Sequence, residues 1–123
     1  MDDGRRRLLT RLMAALGALS GVALLTRPQQ IVDRFCPELP RDRVVLARLL
    51  GVRLLLQHGA VLLEPHPVLV RAGSAVDLVH AATTVPFAAS VRYGRAARLS
   101  GALAAAYAGV AMAVAPRTRP PRS

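Results

Sequence analysis

Four apolar segments of about twenty residues alternate with short polar stretches, and arginines mark most of the boundaries. The segments cover about residues 8–26, 43–63, 68–89 and 96–115. About twenty residues of α-helix, at 1.5 Å per residue, span the roughly 30 Å hydrocarbon core of a bilayer. The pattern therefore predicts an all-α fold, a polytopic membrane protein in which four transmembrane helices form one bundle.

The stretches between the segments contain residues that end helices. Residues 27–42 hold three prolines and mixed charges, which predicts a loop with at most a short interfacial turn around residues 31–35. Residues 64–67, Glu-Pro-His-Pro, predict a tight turn, because proline cannot continue a helix and disfavours it in the preceding residue. Pro86 is expected to kink the last turn of the third segment.

The two ends of the chain are predicted to lie outside the bundle. Residues 1–7 are interpreted as a basic tail, and residues 116–123 as a disordered Arg/Pro tail. A cleaved secretory signal is the alternative for the first segment, with Ala18-Leu19-Ser20 as the cleavage site. Arg11 interrupts the apolar run and Asp2-Asp3 is unusual before a signal, so we expect a retained helix.

Composition supports the membrane interpretation. In 123 residues, enough for one domain, 53% are apolar, yet all 17 basic residues are arginines and the net charge is +10. With no Trp and only two Phe and two Tyr, the chain lacks the aromatic platforms of single-strand nucleic-acid binders. Nucleic acid is therefore not an expected partner, whereas anionic lipid headgroups are expected to contact the arginine clusters. Cys36 is the only cysteine, which excludes an intrachain disulfide.

Small residues recur in the fourth segment. Gly101, Ala105 and Gly109 are spaced by four residues, and in lipid such spacing lets helix backbones approach closely. The alternative is that an alanine-rich composition produces the spacing by chance, and the sequence does not decide between them. For the similar step of Gly17 and Gly21 in the first segment, chance is the favoured explanation.

Two charged residues lie in the middle of predicted spans. Arg53 and Asp77 are each about ten residues from the ends of their segments, where an unpaired charge costs at least about 2.5–3.5 kcal/mol. Arg53 precedes Pro65 by twelve residues and Asp77 follows it by twelve. Antiparallel packing of the two helices therefore brings both residues to the same depth, and we predict that they form an ion pair.

Further polar residues share the faces of this pair. Gln57 follows Arg53 by four residues, while His80 and Thr84 follow Asp77 by three and seven. The resulting intramembrane polar cluster is either a structural pair that fixes helix packing or a site for a headgroup, a proton or a small substrate. His58 points about 140° away from Arg53 on its helix. The second segment therefore offers no good metal ligand opposite Asp77 and His80, and no metal site is predicted. The familiar catalytic motifs are also missing from the sequence, so no catalytic residue or cofactor is predicted.

Residues 47–53, ARLLGVR, and residues 75–82, AVDLVHAA, resemble small four-helix bacterial membrane proteins of actinobacterial type, near the DoxX-like proteins. The resemblance covers roughly residues 27–115. It implies a four-helix bundle in the bacterial inner membrane and implies no established activity.

The function predicted from these observations is that of a non-enzymatic accessory or assembly subunit of a membrane complex. Other membrane subunits or further copies of the chain are the expected protein partners. The alternative is a transporter or membrane-embedded enzyme that uses the Arg/Asp/His cluster.

Overall fold

A computed structural model describes residues 1–117 of the protein, and five α-helices account for most of them. The helices are α1 (Asp3–Thr26), α2 (Pro28–Phe35), α3 (Val44–Leu63), α4 (Pro67–Thr84) and α5 (Gly94–Val114). Four of them, α1, α3, α4 and α5, are long and apolar enough to cross a membrane. The predicted all-α fold with four spans is confirmed. Residues 118–123 of the predicted disordered tail lie outside the described residues.

Helix α1 begins five residues earlier than the apolar pattern predicts. The Asp2 side chain caps it, because Oδ1 accepts a hydrogen bond of 2.7 Å from the Arg5 backbone N–H. Such a cap satisfies one of the free N–H groups of a first helical turn. The Asp3 carboxylate in the same turn interacts favourably with the positive end of the helix dipole. Residues 3–7 are therefore the first turns of α1 rather than a tail.

Helix α2 occupies part of the stretch predicted to be a loop. Pro28 is its first residue, where a missing N–H costs nothing and the fixed φ angle suits a helix. Pro28 and Val32 are buried, whereas Asp33 and Arg34 are exposed. The Gln29 side chain also donates to Asp33 Oδ1 across one turn. A proline counted as a helix breaker thus starts a short amphipathic helix.

The other helix boundaries differ by a few residues from the predicted ones. Helix α4 ends at Thr84, and a 3₁₀ turn over Val85–Phe87 replaces the kinked final turn expected around Pro86. A second 3₁₀ turn, Arg41–Arg43, leads into α3. Helix α5 begins at Gly94, whose N–H donates to the Ser90 carbonyl.

Helices α1 and α3 form an intimate antiparallel pair through glycine. A Cβ atom on Gly21 would lie 2.7 Å from the Gly51 carbonyl oxygen, and one on Gly51 would lie 2.8 Å from the Gly21 carbonyl oxygen. Gly17 leaves room for the His58 ring. The interpretation of Gly17 and Gly21 as chance spacing is therefore wrong, because larger residues there would push the two backbones apart.

Helix α5 packs on α4 through a face of small residues, namely Gly94, Ala97, Gly101, Ala104 and Ala108. Gly101 meets the Thr84 side chain, where any Cβ would collide. Ala105 and Gly109 are exposed, so the prediction that they pack with Gly101 is wrong within this chain. A step of four residues rotates about 40° beyond one helical turn, so repeated steps leave the buried face.

The start of α1 and the end of α5 close the bundle into a ring. The Arg6 guanidinium donates from Nη1 to the carbonyls of Ala113 and Ala115, each at 3.2 Å, and Thr10 Oγ1 donates to the Val114 carbonyl. These bonds satisfy carbonyls that the last helical turn leaves free. The two ends of the helical bundle consequently lie on the same side.

Large apolar side chains cover the outside of the bundle, while the interior is built from small ones. Ala14, Val61 and Val70 form a buried apolar cluster in contact with Leu69, Ala111 and Ala115. Along the outer face of α1, four leucines are more than half exposed, namely Leu8, Leu12, Leu16 and Leu19. Soluble monomers rarely expose apolar patches of this extent. The surface is that of a multi-pass membrane protein.

Candidate functional site

The structure brings Arg53 of α3 and Asp77 of α4 together near the middle of the bundle. Arg53 Nη2 lies 3.4 Å from Asp77 Oδ1, and the two side chains are 25% and 4% exposed, respectively. The antiparallel course of α3 and α4 places them at the same depth. Because both helices leave the 64–66 turn, equal distances from it give equal depth in the bundle.

Gln57 completes the coordination of the carboxylate. Its Nε2 donates to Asp77 Oδ2 at 3.1 Å and to the Gly73 carbonyl at 3.2 Å. A Cβ atom on Gly73 would lie 3.2 Å from that nitrogen. Gly73 therefore provides the space through which an α3 amide reaches the α4 backbone. Arg53, Gln57 and Asp77 form one network, which we call the polar core cluster.

The other two residues expected in the cluster, His80 and Thr84, make no hydrogen bond to it. His80 is half-buried, and its Nε2 is buried without a hydrogen-bond partner among the residues described. Thr84 Oγ1 donates to the Ala81 carbonyl of its own helix at 2.7 Å and packs against Gly101. Thr84 therefore belongs to the α4–α5 contact, and its expected place in the cluster is wrong. A threonine hydroxyl in a membrane helix commonly bonds to its own backbone in this way.

His58 is a buried polar residue that sequence reasoning set aside. It is 7% exposed, its ring faces Gly17, and its centroid lies 5.1 Å from that of the Tyr107 ring. On α3, the side that lies about 140° from Arg53 faces α1 and α5 and not lipid, because α3 has neighbouring helices on that side as well as on the side of α4. The sequence feature that could have indicated the buried position of His58 is Gly17, a small residue that lies opposite the bulky His58 in the α1–α3 contact.

A small cavity of about 30 Å³ lies between the helices beside the cluster. Its polar lining comes from all four long helices and comprises Thr10, Gln57, His58, Ser74, Asp77 and Tyr107. Within residues 1–117, the buried atoms His58 Nε2, Ser74 Oγ and Gln57 Oε1 have no hydrogen-bond partner. A water molecule needs at least about 10–15 Å³ and two to four polar partners. The cavity therefore suits one or two water molecules.

The polar core cluster has the composition of an ion-pair site and not of a metal site. In the part of the chain that the structure describes, no three His, Cys, Asp or Glu side chains converge on one point. The arginine adds a positive charge, which opposes cation binding. The cluster can bind a proton or a water molecule, and it can stabilise the packing of α3 against α4.

A second polar feature lies at the opposite end of the bundle from the chain ends. Arg34 and Phe35 of α2, with Arg95, Arg98 and Leu99 of α5, line an open groove of about 480 Å³. We call it the basic groove. Its guanidiniums lie where the spans meet the aqueous phase, because α2 follows the end of α1 and α5 begins here.

Cys36 lies next to the basic groove, outside the spans, and is half-buried. Burial raises the pKa of the Cys36 thiol, the Glu38 carboxylate raises it further, and the Arg95 charge opposes both. The thiol is therefore mostly protonated at neutral pH, which makes it a poor nucleophile there.

Comparison with protein-family models, with curated proteins and with solved structures gave no match.

Proposed function

We propose that the chain is a non-enzymatic accessory subunit of a membrane complex in the bacterial inner membrane, and that the outer face of α5 contacts other subunits. One observation carries this proposal. Besides its buried small face, α5 exposes a second one, made of Ala102, Ala105, Ala106, Gly109 and Ala113. The bacterial location rests on the resemblance of residues 47–53 and 75–82, which stays a prediction.

An exposed small-residue face is informative in a membrane helix. The outer face of α1 carries leucine, which suits lipid, whereas a Cβ at Gly109 would meet no atom within 4 Å. Glycine inside a helix costs about 1 kcal/mol relative to alanine, and contacts within the chain do not offset this cost at Gly109. Close approach of another helix offsets it through backbone packing, which is the main source of helix association in lipid.

The polar core cluster supports a structural function within such a subunit. The 30 Å³ cavity beside it is far smaller than the roughly 300 Å³ of a typical organic ligand site. A buried ion pair with a shared amide fixes the register of α3 against α4, a role best documented for polar residues in helical interfaces. The short connections at residues 64–66 and 88–93 also leave little chain outside the bilayer for catalysis.

The test compares Gly109→Leu with Gly59→Leu, which is a matched control. Both glycines lie in long helices, and a Cβ at either position meets nothing within 4 Å. Gly59 differs in its surroundings, since exposed leucines (Leu56, Leu62 and Leu63) and not small residues flank it on its helix. The native assembly is extracted in mild detergent and its particle mass and composition are measured. We expect a stoichiometric second protein that Gly109→Leu removes and Gly59→Leu retains. An assembly containing only copies of this 13.1 kDa chain, or equal effects of the two variants, would contradict the proposal.

A second candidate, proton transfer across the membrane, is supported by the unpaired His58 Nε2 and Ser74 Oγ in the water-sized cavity. Histidine titrates in the physiological range and relays protons in many membrane proteins. Proton flux into liposomes that hold the purified protein should fall with His58→Gln and persist with His66→Gln, an exposed histidine in the turn before α4. Flux no higher than in empty liposomes would refute this candidate.

A further inference from the structure

The basic groove combines three guanidiniums with little opposing charge. Arg95 Nη1 lies 3.7 Å from Glu38 Oε1, but both side chains are about half exposed, and such surface pairs contribute little. Arg98 donates from Nη1 to the Ala88 carbonyl at 2.7 Å, which leaves four of its five N–H donors free for other acceptors. Three positive charges and one carboxylate therefore border the groove, which favours an anion.

The third guanidinium is held by an aromatic ring. The Arg34 Cζ lies 5.9 Å from the centroid of the Phe35 ring, within the range of a cation–π contact. Because the ring orients the guanidinium without using its N–H groups, these donors stay available. Phosphate is the acceptor that a planar guanidinium binds best, through two parallel hydrogen bonds.

The apolar members of the groove continue into the bilayer. Phe35 is 55% exposed and Leu99 is 41% exposed, and Leu103, one turn deeper on α5, is 60% exposed. Arg95, Leu99 and Leu103 follow one another by four residues, so each lies about 40° further round α5 and all three stay within one exposed sector of about 80°. The order from water to membrane is thus a cation followed by two leucines, which matches a phosphate followed by an acyl chain.

We propose that the basic groove binds one anionic glycerophospholipid, with its phosphate between Arg34, Arg95 and Arg98 and an acyl chain along Leu99 and Leu103. The N-terminus of α5 at Gly94 adds its positive dipole to this site. This site is independent of the subunit contact proposed for α5, because it lies at the end of that helix and requires no other protein.

The test is a lipid titration followed by native mass spectrometry in detergent micelles, with phosphatidylglycerol and phosphatidylcholine as the probes. The triple variant Arg34→Gln, Arg95→Gln, Arg98→Gln empties the groove of charge. The matched control is Arg41→Gln, Arg43→Gln, Arg92→Gln, which removes the same charge from exposed positions on the same side of the bundle. An arginine at an anionic surface contributes roughly fivefold in affinity. The groove variant should therefore bind phosphatidylglycerol about a hundredfold more weakly.

The three control arginines do not line the groove and would not contact a lipid bound in it. The control should therefore bind phosphatidylglycerol within about threefold of the natural chain, and phosphatidylcholine should bind weakly to all three proteins. Equal losses in both triple variants would overturn the proposal, since they would show diffuse attraction of lipid to the whole basic surface. Competition by inorganic phosphate or by deacylated glycerophosphoglycerol as strong as that of the lipid would also overturn it, since acyl-chain contacts would then contribute nothing. Arg34→Gln alone breaks no hydrogen bond to the fold, so an unchanged affinity in this variant would overturn the site even if the triple variant failed to fold.

Discussion

Removing one member of the Arg53–Asp77 pair should destabilise the protein more than removing both. In Arg53→Leu, the Asp77 carboxylate, whose side chain is 4% exposed, keeps the Gln57 amide as a donor. This remaining hydrogen bond offsets part of the cost of a buried charge that has lost its partner. We therefore expect a loss of about 3 kcal/mol, the lower end of the range for breaking a buried pair.

Asp77→Leu should cost more, about 4–5 kcal/mol. Arginine cannot lose its proton in a protein, and Arg53 lies about nine residues, or roughly 14 Å, from the start of α3, too far for its side chain to reach the headgroups. The double variant removes both charges and fills the space with leucine. Its stability should lie within about 1 kcal/mol of the natural chain, because well-packed apolar residues replace buried ion pairs at little cost.

The assay is unfolding by sodium dodecyl sulfate in mixed micelles, followed by circular dichroism for the natural chain, both single variants and the double variant. Arg48→Leu and Arg71→Leu are the controls, since both arginines are exposed near a helix end and should change stability by less than about 1 kcal/mol. Single variants as stable as the natural chain, or a double variant whose loss equals the sum of the single losses, would refute the paired geometry. A double variant that folds and assembles normally would identify the pair as structural.

Three further predictions concern packing, topology and reactivity. Gly51→Ala should destabilise the protein by about 1–3 kcal/mol in the same unfolding assay, because its Cβ meets α1 backbone, whereas Gly59→Ala should be neutral or stabilising by up to about 1 kcal/mol; similar effects of both would contradict the glycine contact. Cysteines introduced at Asp3 and Arg117 into a Cys36→Ser background should react with an impermeant maleimide from the same side of the membrane, and labelling from opposite sides would remove one span. Alkylation of natural Cys36 should be slow at neutral pH and accelerate about tenfold per pH unit towards and beyond pH 9, because its thiol pKa is raised; a rate that levels off near pH 8 would contradict the raised pKa.

The number and length of the spans could be predicted because hydropathy is a property of each segment alone. The depth of Arg53 and Asp77 followed from the same reasoning, since two helices that leave one tight turn must match in depth. The predicted starts of the helices were less accurate, because a single side chain can decide where a helix begins. The Asp2 side chain caps α1 five residues before its predicted start, and Pro28 acts as a first residue instead of a breaker.

Which helices pack together could not be predicted, because the spacing of small residues within one helix does not show which other helix they contact. Gly17 and Gly21 gain meaning only from Gly51 and His58 on α3, residues thirty or more positions away. The same limit misplaced Thr84, which faces α5 and not α3. For Ala105 and Gly109, a repeat of four was treated as a straight line along the helix, whereas at 3.6 residues per turn it winds around it.

The bonds from Arg6 to the last carbonyls of α5 have a consequence for the order of assembly during synthesis. The α1–α3 pair forms from segments made early, and the α4–α5 pair from segments made later, but the seam between the two pairs needs Ala113 and Ala115. Until those residues leave the ribosome, the Arg6 side chain has no carbonyl to bind and the cavity-lining Thr10 lacks its acceptor. The water-sized cavity, which takes its walls from both pairs, is therefore closed only after α5 has been synthesised.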